Sequence, residues 1–177
     1  MKLFNYINPE ELREMIDLGY IDIKRHPSER LYIYNYTKKC QFEKMWNDTT
    51  EKCRGLIANG DGEIVARPFP KFYNYEEYED PSVIPDLPFD VYEKLDGSLG
   101  ILYWIDNIPY IATRGSFTSD QAIHATELLH SKLKHAWSKL DRKKTYLFEI
   151  IYPEDLHVIT YKGVDNIFLL VLYIDNE

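Results

Sequence analysis

Sulfur is scarce in this chain. Its 177 residues hold two cysteines, Cys40 and Cys53, with no CxxC and no Cys/His cluster. That argues against a disulfide scaffold or a zinc site and fits a reducing compartment. The five histidines form no ligand-like pairs and read as ordinary surface or core residues. Positive charge is also short. Twenty-one lysines and arginines against 29 aspartates and glutamates leave a net charge of −8. This argues against a protein that grips nucleic acid through an overall basic field, so any such contact has to be local. No apolar run is long enough to span a membrane, and the N-terminus soon becomes charged and amphipathic. A cytosolic protein with no membrane partner is expected.

Aromatic residues, by contrast, make up 15% of the chain, with fifteen tyrosines, inside a hydrophobic content of 45%. That composition predicts a folded, strand-rich protein, and the length suits one domain. Asn8-Pro9-Glu10-Glu11 starts a helix, with a cap, proline at the first position and glutamate at the third. Leu12, Met15 and Ile16 supply its stripe and Gly19 its stop. Residues 31–37 (LYIYNYT) read as a strand with Tyr32, Tyr34 and Tyr36 on one face. A tyrosine row of this kind suits a half-buried sheet surface and also the stacking of an adenine. Residues 54–59 and 63–69 predict a hairpin around Asn59-Gly60-Asp61-Gly62. Arg54 at its entrance and Lys71 beyond its exit then lie on one side of the sheet, a pair of cations suited to a polyphosphate.

The stretch from Phe89 to Ile105 (FDVYEKLDGSLGILYWI) predicts a second hairpin turning at Asp96-Gly97. Lys94 would be aimed from it into a cleft and partly stripped of water, which favours a neutral, nucleophilic amine. A third strand is expected at 108–113, and Thr118-Ser119-Asp120-Gln121 predicts the capped start of a helix running to about Leu140. Its lysines, Lys132, Lys134 and Lys139, read as a solvated face. Strands are expected at 145–151, 156–161 and 167–174. Glu149 interrupts the apolar run TYLFEII, and a carboxylate there needs a partner: a cation, a metal-bound water, a ribose hydroxyl or a structural ion pair.

The series YNY, CRGLI, ARPFPKFYN, EKLDGS, TRGSFTSDQA and LFEIIYP, in that order, resembles the phage-type RNA ligase 1 family of ATP-dependent RNA-repair ligases. The resemblance runs from about residue 30 to Glu177. It implies an α+β fold, mostly antiparallel sheets with flanking helices. It also implies a covalent nucleotidyltransferase (ATP-grasp-like) adenylation domain, of which residues 1–177 form a single portion incomplete at the C-terminus. It makes Lys94 the nucleophile that takes AMP from ATP, and Glu149 the essential acidic residue. Tyr34, Arg54, Lys71 and Arg114 become nucleotide-binding positions, and Gly97 leaves room beside the nucleotide. Magnesium is the implied metal, with no ligands assigned. The implied partners are RNA ends, those of nicked or cleaved tRNA. The family's Glu-Gly and Lys-x-Lys motifs, which follow this region, do not occur in the sequence. The second expectation is therefore a catalytically incomplete nucleotide- or RNA-end-binding module, or a split subunit whose missing motifs come from a partner chain. A DNA ligase or a GTP-using capping enzyme shares the Lys-x-Asp-Gly core but fits CRGLI and TRGSFTSDQA poorly.

Overall fold

The computed structural model describes residues 1–78, 80–155, 159 and 161–174. The fold is α+β, with two four-stranded antiparallel sheets. The first has the order β1-β2-β3-β4, from β1 (Ile21–Arg25), β2 (Leu31–Tyr36), β3 (Arg54–Asn59) and β4 (Ile64–Ala66). The second has the order β6-β5-β7-β8, from β5 (Ser98–Ile105), β6 (Ile108–Thr113), β7 (Lys144–Ile151) and β8 (Asn166–Ile174). Among the described residues five α-helices flank them: α1 (Leu3–Tyr6), α2 (Pro9–Asp17), α3 (Lys38–Phe42), α4 (Asp48–Lys52) and α5 (Asp120–Ser131).

Three apolar layers hold these elements together. Leu31, Ile33 and Ile57 of the first sheet face Ile101, Tyr103, Ala112 and Leu147 of the second, so the sheets pack face to face. The outer face of the first sheet, with Tyr36, Leu56 and Ala58, takes Leu3, Leu12 and Met15 from α1 and α2. The outer face of the second, with Leu102, Ile111, Phe148 and Ile150, takes Ala125, Leu128 and Leu129 of α5. Central strands are thus covered on both sides, which is why Leu56, Ile57 and Ala58 are all fully buried in succession. Leu56 and Ile57 each contribute roughly 1.5–3 kcal/mol by burial.

Local chemistry sets the helix ends. The Asn8 side chain accepts from the backbone N–H groups of Glu10 and Glu11, and Gly19 takes φ +76° beyond the end of α2. On α5 the cap is Ser119, one residue later than the sequence pattern suggests, accepting from Ala122 N–H. This helix stops at Ser131 rather than near Leu140, and residues 134–139 tighten into a 3-10 turn. Trp137 Nε1 donates there to the Leu129 carbonyl, folding the turn back on the helix.

The Asp96-Gly97 hairpin is not formed. Neither residue has positive φ, as a two-residue type I′ turn needs, and residues 84–97 hold no strand. The reason is tertiary: both edges of β5 are already paired, one with β6 and the other with β7. The run before Lys94 is left unpaired, with Leu87 67%, Phe89 85%, Val91 85% and Tyr92 82% exposed. The strand expected at 156–161 falls largely on positions outside the described residues. Among the described residues no helix is long and apolar enough to cross a membrane.

Candidate active site

A cleft of about 1000 Å³ opens where the lysine segment meets the start of β5. Lys94, Gly97, Arg54, Arg114 and Glu149 all line it. They come from four places in the chain, so the fold, not the sequence, makes them neighbours.

The lysine segment is held at Asp96 and Gly97. Asp96 N–H donates to the Tyr161 hydroxyl at 2.9 Å, and its carboxylate accepts from Ile159 N–H at 3.0 Å. Gly97 N–H donates to Glu149 Oε1 at 2.8 Å. A β-carbon on Gly97 would collide with the Ile150 carbonyl oxygen and lie 3.0 Å from Ile151 Cγ1. Glycine is therefore required here so that the segment can lie against β7. That is a packing reason, in addition to the space beside a nucleotide that the family resemblance implies. Lys94 itself is exposed at the cleft, not enclosed by a strand pair as the hairpin would have made it. The carboxylate of Glu149, meanwhile, is committed in part to the Gly97 backbone.

The two arginines come from opposite sheets. Gly55, directly after Arg54 on β3, has φ +88°. A β-carbon there would lie 2.6 Å from Ile101 Cδ1 and 3.0 Å from Arg114 Cα. This glycine lets the first sheet touch the backbone just past β6, and so sets Arg54 beside Arg114. Arg114 Nη1 donates to the Tyr36 hydroxyl at 2.7 Å, with its guanidinium 4.8 Å from that ring. The guanidinium of Arg54 lies 5.0 Å from the Phe72 ring, and its Nη1 is buried without a hydrogen-bond partner among the described residues. Burial pulls the Arg54 guanidinium below its ordinary value and the Arg114 cation adds to this, while Tyr36 and Glu149 oppose it. An orphaned, partly desolvated donor beside a second cation is suited to an anion.

Two sequence candidates stand apart from this cleft. Lys71 lines an adjoining cleft of about 690 Å³, which shares Arg54 and Phe72 with the first. Its Nζ donates to the Phe72 carbonyl at 2.6 Å, lies 3.6 Å from Glu77, and sits 4.0 Å from the Tyr73 ring. Arg54 and Lys71 therefore share a cleft wall, as their hairpin placement predicts. Tyr34 lines neither cleft. It packs against the helix-side core, and burial raises its phenol. Tyr36, two residues further along β2, lines the adjoining cleft and accepts from Arg114 Nη1.

Sequence reasoning passed over a polar group at the cleft rim. Asp155 accepts from Ser98 Oγ at 2.9 Å and from Gln121 Nε2 at 3.0 Å, and Ser98 and Gln121 both line the cleft. Their signal was present, since both fall inside quoted motifs, EKLDGS and TRGSFTSDQA.

Residues 52–176 match the family model described as RNA ligase, which takes in Arg54, Lys71, Lys94, Gly97, Arg114 and Glu149 and leaves Tyr34 outside. The chain belongs to the phage-type RNA ligase 1 family. It is also similar to an RNA ligase of Rhodothermus phage RM378, with 23% identity over 188 residues covering 83% of this chain. The chain spans 42% of that relative's length. The matched span takes in β3 to β8 and most of the cleft lining, while β1, β2 and the helices α1, α2 and α3 lie outside it.

Proposed function

We propose that this protein adenylylates itself on Lys94 from ATP, as the first step of sealing RNA ends. The single observation that carries this reading is the convergence of Lys94, Gly97, Arg54, Arg114 and Glu149 on one cleft. The cleft suits a nucleoside triphosphate: it is large enough, it carries cations from two sheets, and the buried Arg54 Nη1 awaits an acceptor. In this reading the amine of Lys94 loses its proton to solvent and attacks the α-phosphorus. A nitrogen–phosphorus bond forms, the bond to the bridging oxygen breaks, and pyrophosphate leaves. Arg54 and Arg114 hold and neutralise the phosphates, and Lys71 takes their far end. Glu149, fixed by Gly97 N–H, accepts from a ribose hydroxyl or holds a water.

Among the described residues no group of three or more His, Cys, Asp or Glu is placed to hold a metal. Glu93 and Glu149 are the carboxylates that line the cleft, and they would offer oxygens to a Mg²⁺ carried on the nucleotide phosphates. When bound, the ion supplies charge neutralisation on the phosphates. The AMP then passes to an RNA 5′-phosphate, and a 3′-hydroxyl displaces it. The substrates in this reading are the ends of cleaved tRNA, met in the cytoplasm.

A second reading is favoured by the exposure of Phe89, Val91 and Tyr92, the unpaired run leading into Lys94. In it the protein binds a nucleotide or an RNA end, and a partner chain covers that run to complete catalysis. Intact-mass analysis after incubation with ATP and Mg²⁺ separates the two. An added AMP that Lys94→Ala abolishes is the expected result for the first. Bound ATP without any adduct selects the second, and an adduct that survives Lys94→Ala sinks the assignment of Lys94.

A further inference from the structure

The Lys71 ammonium is already occupied. Besides the Phe72 carbonyl at 2.6 Å, it meets Glu77 Oε1 at 3.6 Å, the Tyr73 ring at 4.0 Å and the Trp46 ring at 5.5 Å. Its side chain is only 12% exposed. Arg54, by contrast, keeps a buried donor with no partner among the described residues. One cation therefore awaits an anion, while the other is covered by a carbonyl, a carboxylate and two rings. A lysine held in this way has to leave its partners before it can meet a phosphate.

Glu77 is built to hold it there. Residues 75–77 form a 3-10 turn in which Asn74 and Glu77 cap each other. Asn74 N–H donates to Glu77 Oε2 at 2.7 Å, which leaves Oε1 for Lys71. That bond, with the Lys71 charge adding to it, holds Glu77 below the usual carboxylate range, so it is an anion at neutral pH. The backbone on the lysine side is fixed too. Lys71 N–H donates to the Glu51 carbonyl at 2.8 Å, and the Tyr73 hydroxyl donates to the Glu51 carboxylate. That leaves the Lys71 side chain to turn. Arg54 and Phe72 line both clefts, so the turn leads from one into the other.

We propose that Glu77 is a latch on Lys71: it holds the lysine in the adjoining cleft, and the outer phosphates of ATP draw it across. This rests on the ATP reading above. Glu77 is then a positioning residue that acts through Lys71, and it competes with the triphosphate for one cation. AMP has no outer phosphates and leaves the latch closed.

The test is calorimetric titration with α,β-methylene-ATP, which cannot pass AMP to Lys94, and separately with AMP. Glu77→Gln keeps an acceptor for Asn74 N–H and removes the charge, so the turn survives it. The expected result is tighter binding of the triphosphate analogue by about two- to fivefold, the range of a partly exposed ion pair, with AMP unchanged. Lys71→Ala weakens the analogue, and in that background Glu77→Gln has no further effect. An analogue bound equally or less tightly by Glu77→Gln than by the wild type overturns the latch. So does an equal gain for AMP, which marks a structural change. The same gain without Lys71 marks a general effect of charge and overturns it as well. The wild type keeps this apart from the ATP reading. If it binds the analogue and Glu77→Gln gains nothing, the latch alone is lost. If it binds neither nucleotide, the ATP reading is lost and the latch with it.

Discussion

At Gly97 an absent side chain matters as much as the lysine three positions earlier. With a β-carbon pressed onto the Ile150 carbonyl, Gly97→Ala has to push the lysine segment off β7. Overpacking of this kind costs about 1–3 kcal/mol. The expected result is a lower urea midpoint with an unchanged slope. Lys94→Ala, at an exposed position, stays within about 0.5 kcal/mol of wild type. Equal midpoints for all three proteins would show that the segment shifts freely and that Gly97 is not a packing requirement. Loss of AMP labelling in Lys94→Ala can then be read as chemistry, since the fold is unchanged.

Among the elements, those with strong local signals were legible. The Asn8 cap, the alternation in β2 and the hairpin of β3 and β4 all follow from neighbours in sequence. The Asp96-Gly97 hairpin did not form, because its turn signal competes with two better partners for β5, at 108–113 and 144–151. No local pattern reveals that competition. Tyr34 and Tyr36 share the helix-side face of β2, and only Tyr36, at the strand's end, lines the adjoining cleft, a difference that alternation cannot show. The cleft residues were named in advance from the order of motifs, but the contact of Gly55 with Arg114 spans two sheets and has no sequence signature. One consequence is measurable in the unpaired run. Phe89→Ser, at a residue 85% exposed, leaves the urea midpoint within about 0.5 kcal/mol of wild type. A loss above about 1 kcal/mol would mean that something covers this run in solution.

For the whole molecule, the buried proton-bearing groups set an alkaline limit. Burial pushes the Cys53 thiol from 9.0 up to about 12. It also raises the phenols of Tyr73, Tyr103 and Tyr34. Between 9.0 and about 12 the unfolded chain has released the Cys53 proton and the folded chain has kept it. Fewer protons are then bound in the unfolded state, so stability falls as pH rises. The contribution is complete below the unfolded value and is lost towards the folded one. Urea midpoints should drop as pH rises from 9.0 towards about 12, and drop less in Cys53→Ala. A midpoint flat across that range would contradict the burial of these groups.

The meeting of Gly55 with the backbone of Arg114 also determines who owns the anion site. One guanidinium comes from the first strand position of β3 in the helix-backed first sheet. Its fellow follows β6, and the carboxylate comes from β7, both of the second sheet, with the lysine on the segment that leads into β5. Neither layer carries the constellation by itself. The spacing of the two cations is therefore a gauge of how the layers are aligned, and a slide of one across the other would detune the site without moving a single rotamer.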